Sequence, residues 1–336
     1  MNESQIVNTT LAQLSQNSKL SGYFQWFLPH NEGIDGELRF RNPADMPAFK
    51  TEIKREIRHY QIPQLREMAK LHQPFMVMAA KISPVVKEQL REQHINYVDT
   101  GGNIFIRHHQ TVIWIDGNKT PSNNEGRSKA FTKAGLKIIF YLLLNKEAVH
   151  FTYRELAWAA DVAIGNIKNI FNGLAEAGFL LPVTKKDYKL QNKRELLERW
   201  VTAYGETLRP SLLIETFDFW DPKKPDHWKE LQFEPSQSMW SGEPGGDLLT
   251  NNLVPHSLLL YTTQKSKLMT KWTLIPTEKG ILVMYHKFWK DEATDDQRHA
   301  PPLLVYADLL LTGDQRSIET AINIYKKYLQ DEFGPY

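Results

Sequence analysis

The sequence predicts an α+β chain of several domains, and three observations carry that reading. At 336 residues it is longer than one ordinary core organises. Its apolar pattern changes from short runs and alternation near a period of two in the first third to a helical spacing in the middle. Between them, residues 117–128 (GNKTPSNNEGRS) have no apolar periodicity and read as a linker. Hydrophobic residues make up 41% and charged residues 24%, the balance of a globular chain. The expected domains are residues 1–118, 127–209 and 210–336. The second boundary is set where a helical pattern from Asn192 stops near Arg209-Pro210.

In the first domain, residues 75–80 (FMVMAA) are wholly apolar and suit a buried strand. Ser83-Pro84 then caps and opens a helix to about Gln93. Residues 96–100, 103–107 and 111–116 follow as short strands, with Gly101-Gly102 and residues 108–110 as turns. Upstream, residues 35–41 and 49–57 alternate with a period near two, although the second fits a short helix equally well. On a strand, Glu52 and Lys54 project to one face while Asp35 opens the preceding strand. Asp followed by Glu-x-Lys on a neighbouring strand is the constellation of restriction-endonuclease-like PD-(D/E)XK nucleases. There carboxylates hold Mg²⁺ and the lysine positions water or stabilises charge. EIKRE is also what a solvated helix face with i, i+4 ion pairs looks like. The domain therefore reads as α/β and nuclease-like in arrangement, with Asp35, Glu52 and Lys54 as the catalytic set if it cuts. Otherwise it is a degenerate or unrelated α/β scaffold.

The middle segment reads as three helices and a hairpin. Thr132 caps the first helix, in which Leu136, Ile139, Phe140 and Leu143 share a face. Thr152 caps a second over residues 153–160, and the turn 161–164 leads to a third over residues 165–178. In the third, Ile167, Ile170, Phe171 and Leu174 recur at core spacing, which leaves Asn166, Lys168, Asn169 and Asn172 pointing outward. Asn pairs with adenine N6/N7, and Lys reaches guanine acceptors or phosphate. Residues 179–181 then pair with residues 188–190 through the turn Lys185-Lys186-Asp187, forming a wing whose lysines contact phosphate. This is a winged helix-turn-helix, carried by LAWAADVAIGNIKNIFNGLAEAG. Charge agrees: residues 127–199 hold thirteen Lys/Arg against seven Asp/Glu, or +6, whereas residues 1–126 carry +1 and residues 200–336 carry −5. Double-stranded DNA is the expected partner. A protein-interaction adaptor on the same fold is the competing class.

The C-terminal segment has strand candidates at residues 257–262 and 280–285 and a long helix over residues 317–329, consistent with a third α/β domain. Residues 217–247, crowded with Pro, Trp, Gly and Asp, read as a long irregular loop. With no cysteine, thiolate nucleophiles, disulfides and Cys-based metal sites are excluded. His108-His109 lacks a third ligand at metal spacing. SGEPGGD at residues 241–247 lacks the Lys-Ser/Thr of a phosphate loop, and Asp218 and Asp221 read as loop solvation. Neither a metal nor a cofactor is expected. The first sixteen residues have no signal-peptide pattern and no apolar run reaches membrane length, so a cytoplasmic protein with no membrane partner is expected.

Several stretches resemble the AbiEi-type antitoxins of type IV toxin–antitoxin systems, in a branch with an α/β domain ahead of a central winged helix. They are PFMVMAAKISPVVKEQLREQHINYVDTGGNIFI, RSKAFTKAGLKIIFYLLLN, the winged-helix segment, SGEPGGDLLT and APPLLVYADLLLTGDQRSIETAINIY. The resemblance implies a transcriptional autorepressor that binds repeats in its own promoter, with self-association on DNA. It also implies a genetically linked nucleotidyltransferase toxin, counteracted without a stable complex. Better-known members carry the winged helix at the N-terminus.

Overall fold

The alternating segments of the first third assemble into one seven-stranded sheet, in a computed structural model that describes residues 3–16, 24–28, 33–41, 46–120, 129–183, 187–234, 237–290 and 297–336. The chain divides into two units, Met1–Asn124 and Glu125–Tyr336, each with its own interior. Both are mixed α+β.

In the first unit, α1 (Glu3–Gln16) precedes β1 (Phe24–Phe27), β2 (Gly36–Phe40) and β3 (Phe49–Ile57), which form an antiparallel meander. Then α2 (Ile62–Leu71) crosses to β4 (Phe75–Ile82), and α3 (Pro84–Glu92) crosses to β5 (Asn96–Asp99). Both pairings, β3 with β4 and β4 with β5, are parallel, as a helical crossover requires. Strands β6 (Ile104–His108) and β7 (Thr111–Ile115) complete the sheet as antiparallel neighbours, in the order β1 to β7. Residues 49–57 are thus a strand and not a helix. Their alternation puts Phe49 and Ile53 into a core with Ile6 and Leu14 of α1, Leu38, Met76 and Val98. The opposite face packs Val77 and Tyr97 against Leu65 of α2 and Val86 and Leu90 of α3. Ser83 caps α3 by accepting from Val86 N, with Pro84 at its first position.

The second unit opens with α4 (Lys133–Leu144), α5 (Tyr153–Ala159), α6 (Ile164–Glu176) and a hairpin of β8 (Leu180–Pro182) and β9 (Tyr188–Leu190). Next come α7 (Lys193–Ala203), a π-helical turn over Tyr204–Leu208 and α8 (Arg209–Leu212). The helical path therefore continues through Arg209-Pro210 to Leu212. Pro210, which has no N–H for a continuing α-helix to use, stands just after the π-helical turn.

A five-stranded sheet follows, with β10 (Leu213–Phe219), β11 (Ser238–Ser241), β12 (Leu258–Thr262), β13 (Leu274–Pro276) and β14 (Leu282–His286) in the order β11-β12-β14-β10-β13. Strands β12 and β14 are parallel and the other pairs antiparallel. The helices of this part are α9 (Gly242–Thr250), α10 (Lys265–Trp272), α11 (Pro302–Leu310), α12 (Gln315–Ile324) and α13 (Gln330–Phe333). Residues 217–247 are not the irregular loop their composition suggests, since they hold the end of β10, all of β11 and the first turns of α9. Burial explains the discrepancy. Gly245 and Gly246 let α9 lie against α11 and α12, where a Cβ would approach Val305 Cγ2 to 3.0 Å and Leu309 Cδ1 to 3.1 Å. Glycine's poor helix propensity is overridden by packing that only glycine permits.

Candidate functional site

Helix α6 buries one face and leaves the other free. Ile167, Ile170, Phe171 and Leu174 are buried, and Asn166, Lys168, Asn169 and Asn172 are all exposed. At 3.6 residues per turn, Gly165, Lys168, Asn169 and Asn172 fall in one sector of about 100°.

The supports of this face follow from local sequence. Thr152 and Glu155 form a reciprocal capping box on α5, and Thr132 caps α4 through Gly135 N. Asp161 turns the chain between α5 and α6 with φ 51°. Behind α6, the ring of Phe171 contacts Tyr153 of α5 at 5.4 Å and Tyr188 of β9 at 5.1 Å, so one aromatic cluster fixes two helices and the hairpin. Burial and then a hydrogen bond with Tyr188 push the Tyr153 phenol up to about 12. Trp200 of α7 donates from Nε1 to Leu136 O at 2.8 Å and stacks on Phe140 of α4, which joins the three-helix module to the rest of the unit.

The hairpin register is Leu180 opposite Leu190 and Pro182 opposite Tyr188. Lys185 and Lys186 lie outside the described residues. Next to them, Asp187 Oδ1 meets His150 Nδ1 at 2.6 Å. Two exposed cations escape a reading based on helix faces and turns alone: Arg154 in the first turn of α5 and Lys189 on β9. The strand alternation Tyr188-Lys189-Leu190 was the available signal for the latter.

In the first unit the structure does bring Asp35 beside Glu52 and Lys54. The β2–β3 register pairs Gly36 with Thr51, and Asp35 N donates to Thr51 O at 3.1 Å. The Asp35 carboxylate, however, turns into the ladder and accepts from Ile53 N at 2.6 Å. Glu52 and Lys54 pair with each other at 2.8 Å, with side chains 13% and 16% exposed. Among the described residues, no group of three or more His, Asp or Glu side chains is placed to hold a metal ion.

A third cluster is wholly interior. Asp308 of α11, 0% exposed, accepts from Tyr204 Oη at 2.9 Å, Arg209 Nε at 3.0 Å, Ser241 Oγ at 2.7 Å and Tyr261 Oη at 3.0 Å. Burial, then the Asp308 charge, pushes both phenols well above their ordinary range. Burial disfavours the Arg209 charge, but Asp308 and the surrounding phenols outweigh it and hold the proton more firmly. Every oxygen of this carboxylate is satisfied, which makes the cluster a joint between the α7–α8 segment and the five-stranded sheet.

What the fold defines is a mixed α+β protein whose second unit couples a basic helical module to an aromatic-rich sheet. Residues 189–330 match the family model described as transcriptional regulator, AbiEi antitoxin, Type IV TA system. The matched region starts in β9, after α6. It contains α9 with its SGEPGGDLLT sequence and the α11–α12 pair that α9 packs against. No curated protein and no solved structure matches the chain. No helix among the described residues is long and apolar enough to cross a membrane.

Proposed function

We propose that the chain is a DNA-binding transcriptional regulator, the autorepressing antitoxin of a type IV toxin–antitoxin system, acting from the cytoplasm. On this reading α4, α5 and α6 with the β8–β9 hairpin are a winged helix-turn-helix. Helix α6 enters the major groove with Asn166, Lys168, Asn169 and Asn172, and Lys185 and Lys186 of the wing rest on phosphate. The observation that carries it is the exposed polar face of α6 in a segment of charge +6 whose end overlaps the matched region. Arg154 and Lys189 join the phosphate contacts. The partners are the chain's own promoter and a nucleotidyltransferase toxin encoded nearby, with no stable toxin complex.

The test is a salt-titrated mobility-shift assay on the chain's upstream DNA against random DNA. Selective binding that weakens steeply with salt supports the regulator. Absence of binding at low salt removes it and favours an adaptor.

One observation favours a second reading, a Mg²⁺-dependent nuclease. What supports it is that Asp35 directly precedes β2, which pairs with the strand carrying Glu52 and Lys54; on this reading the three residues form a restriction-endonuclease-like set. The same assay run with Mg²⁺ decides it. Cutting abolished by Glu52→Ala establishes the nuclease, and intact DNA leaves the first unit as a scaffold.

A further inference from the structure

Two neighbouring residues in the first turn of α6 have no explanation inside the fold. Ile164, the first residue of the helix, is 53% exposed, a branched apolar side chain held in water beside the buried Ile167. Gly165 follows it. A Cβ built at Gly165 would meet nothing within 4 Å, and its backbone does not occupy the left-handed region. Neither packing nor conformation therefore asks for glycine there, and glycine weakens a helix relative to alanine. Elsewhere in the second unit the fold does use its glycines: Gly135 lies against Ala130, Gly245 against Val305, and Gly178 has φ 78°. On the wheel, Gly165 lies at the centre of the Lys168–Asn169–Asn172 sector, and Ile164 borders it.

We infer that the first turn of α6 reads a thymine-containing base step. Gly165 leaves room for the edges of the bases to approach the helix backbone, and Ile164 packs on the thymine 5-methyl group, the one apolar feature the major groove displays. The inference rests on the proposal that α6 is the recognition helix. The N-terminal residues of such a helix are those that reach base edges. An adenine paired with or next to that thymine is then within the span of Asn169, four residues beyond Gly165.

The experiment uses the full-length protein and the upstream DNA it selects. Thymines in the bound site are replaced one at a time by uracil, which removes only the methyl group. Wild type is expected to lose about four-fold at one position of the bound site, the worth of a methyl taken out of water. Ile164→Ala should bind the thymine site more weakly and show no further loss with uracil. Gly165→Ala supplies an independent readout: its melting temperature should hold or rise, and selective binding should fall ten-fold or more with random-DNA binding unchanged. Uracil insensitivity at every position, or Gly165→Ala binding like wild type, overturns the inference and leaves the regulator standing. If wild type does not prefer its own upstream DNA, the regulator reading itself falls and takes this inference with it.

Discussion

Replacing Asp308 by asparagine keeps the shape of the side chain and removes the charge that Arg209 faces. Asp308 is fully buried, and the Arg209 side chain is 24% exposed, with its guanidinium 4.9 Å from the Tyr285 ring centroid. Breaking one partner of a buried pair costs roughly 3–5 kcal/mol. Partial access of water to Arg209 places this case at the lower end, about 3 kcal/mol. For a unit of this size, that shifts the melting temperature down by roughly 6–12 °C. Urea and thermal unfolding of Asp308→Asn measure it, and Arg209→Met supplies the second edge of a double-mutant cycle. In that background the Asp308→Asn cost should drop, because the orphaned charge is gone. A cost below about 1 kcal/mol, or one that is identical with and without Arg209, would show that the hydroxyl contacts alone hold the joint.

Three further outcomes are expected. Asn169→Ala should lose roughly 1–3 kcal/mol on the selected site and little on random DNA, whereas Lys186→Ala should weaken both alike and lower the salt slope by about one. Glu332 accepts from Lys146 and Lys193; burial raises its carboxyl pKa, but these two ammonium groups outweigh that and hold it below the ordinary 4.5. Its contribution is therefore complete above that value and fades as pH falls through the lowered one. The melting difference between wild type and Glu332→Gln should be present at neutral pH and vanish in acid. Gly135→Ala should destabilise by about 3 kcal/mol in a urea titration, since the new Cβ would lie 1.9 Å from Ala130 O.

Elements were legible in the sequence where local chemistry and burial agree. Ser83-Pro84, the Thr152 cap and the Ile167-Ile170-Phe171-Leu174 spacing each act through neighbours in the chain, and the helices they announce are present. The helix α1 escaped notice because its buried residues are sparse and include Thr10 among Asn, Gln and Ser. Its apolar stripe is completed only by the sheet beneath it. Helix α9 was misread for the opposite reason, as its glycines signal a loop locally and a close helix contact globally. Nor could spacing reveal the Asp308 joint, whose five members span more than a hundred residues and meet through tertiary folding alone. Of the candidate interface, the outward residues of α6 were readable from periodicity. The isolation of Gly165 needed coordinates.

Within the second unit the formal charge is divided unevenly along the sequence, +6 over residues 127–199 and −5 over residues 200–336. On the proposed regulator reading the positive segment is the part that meets the polyanion, so its local charge, and not the small net charge, governs the encounter. Ionic strength should then act on the association rate more strongly than a net charge of +2 implies, with screening confining the attraction to within about 10 Å at 0.1 M salt.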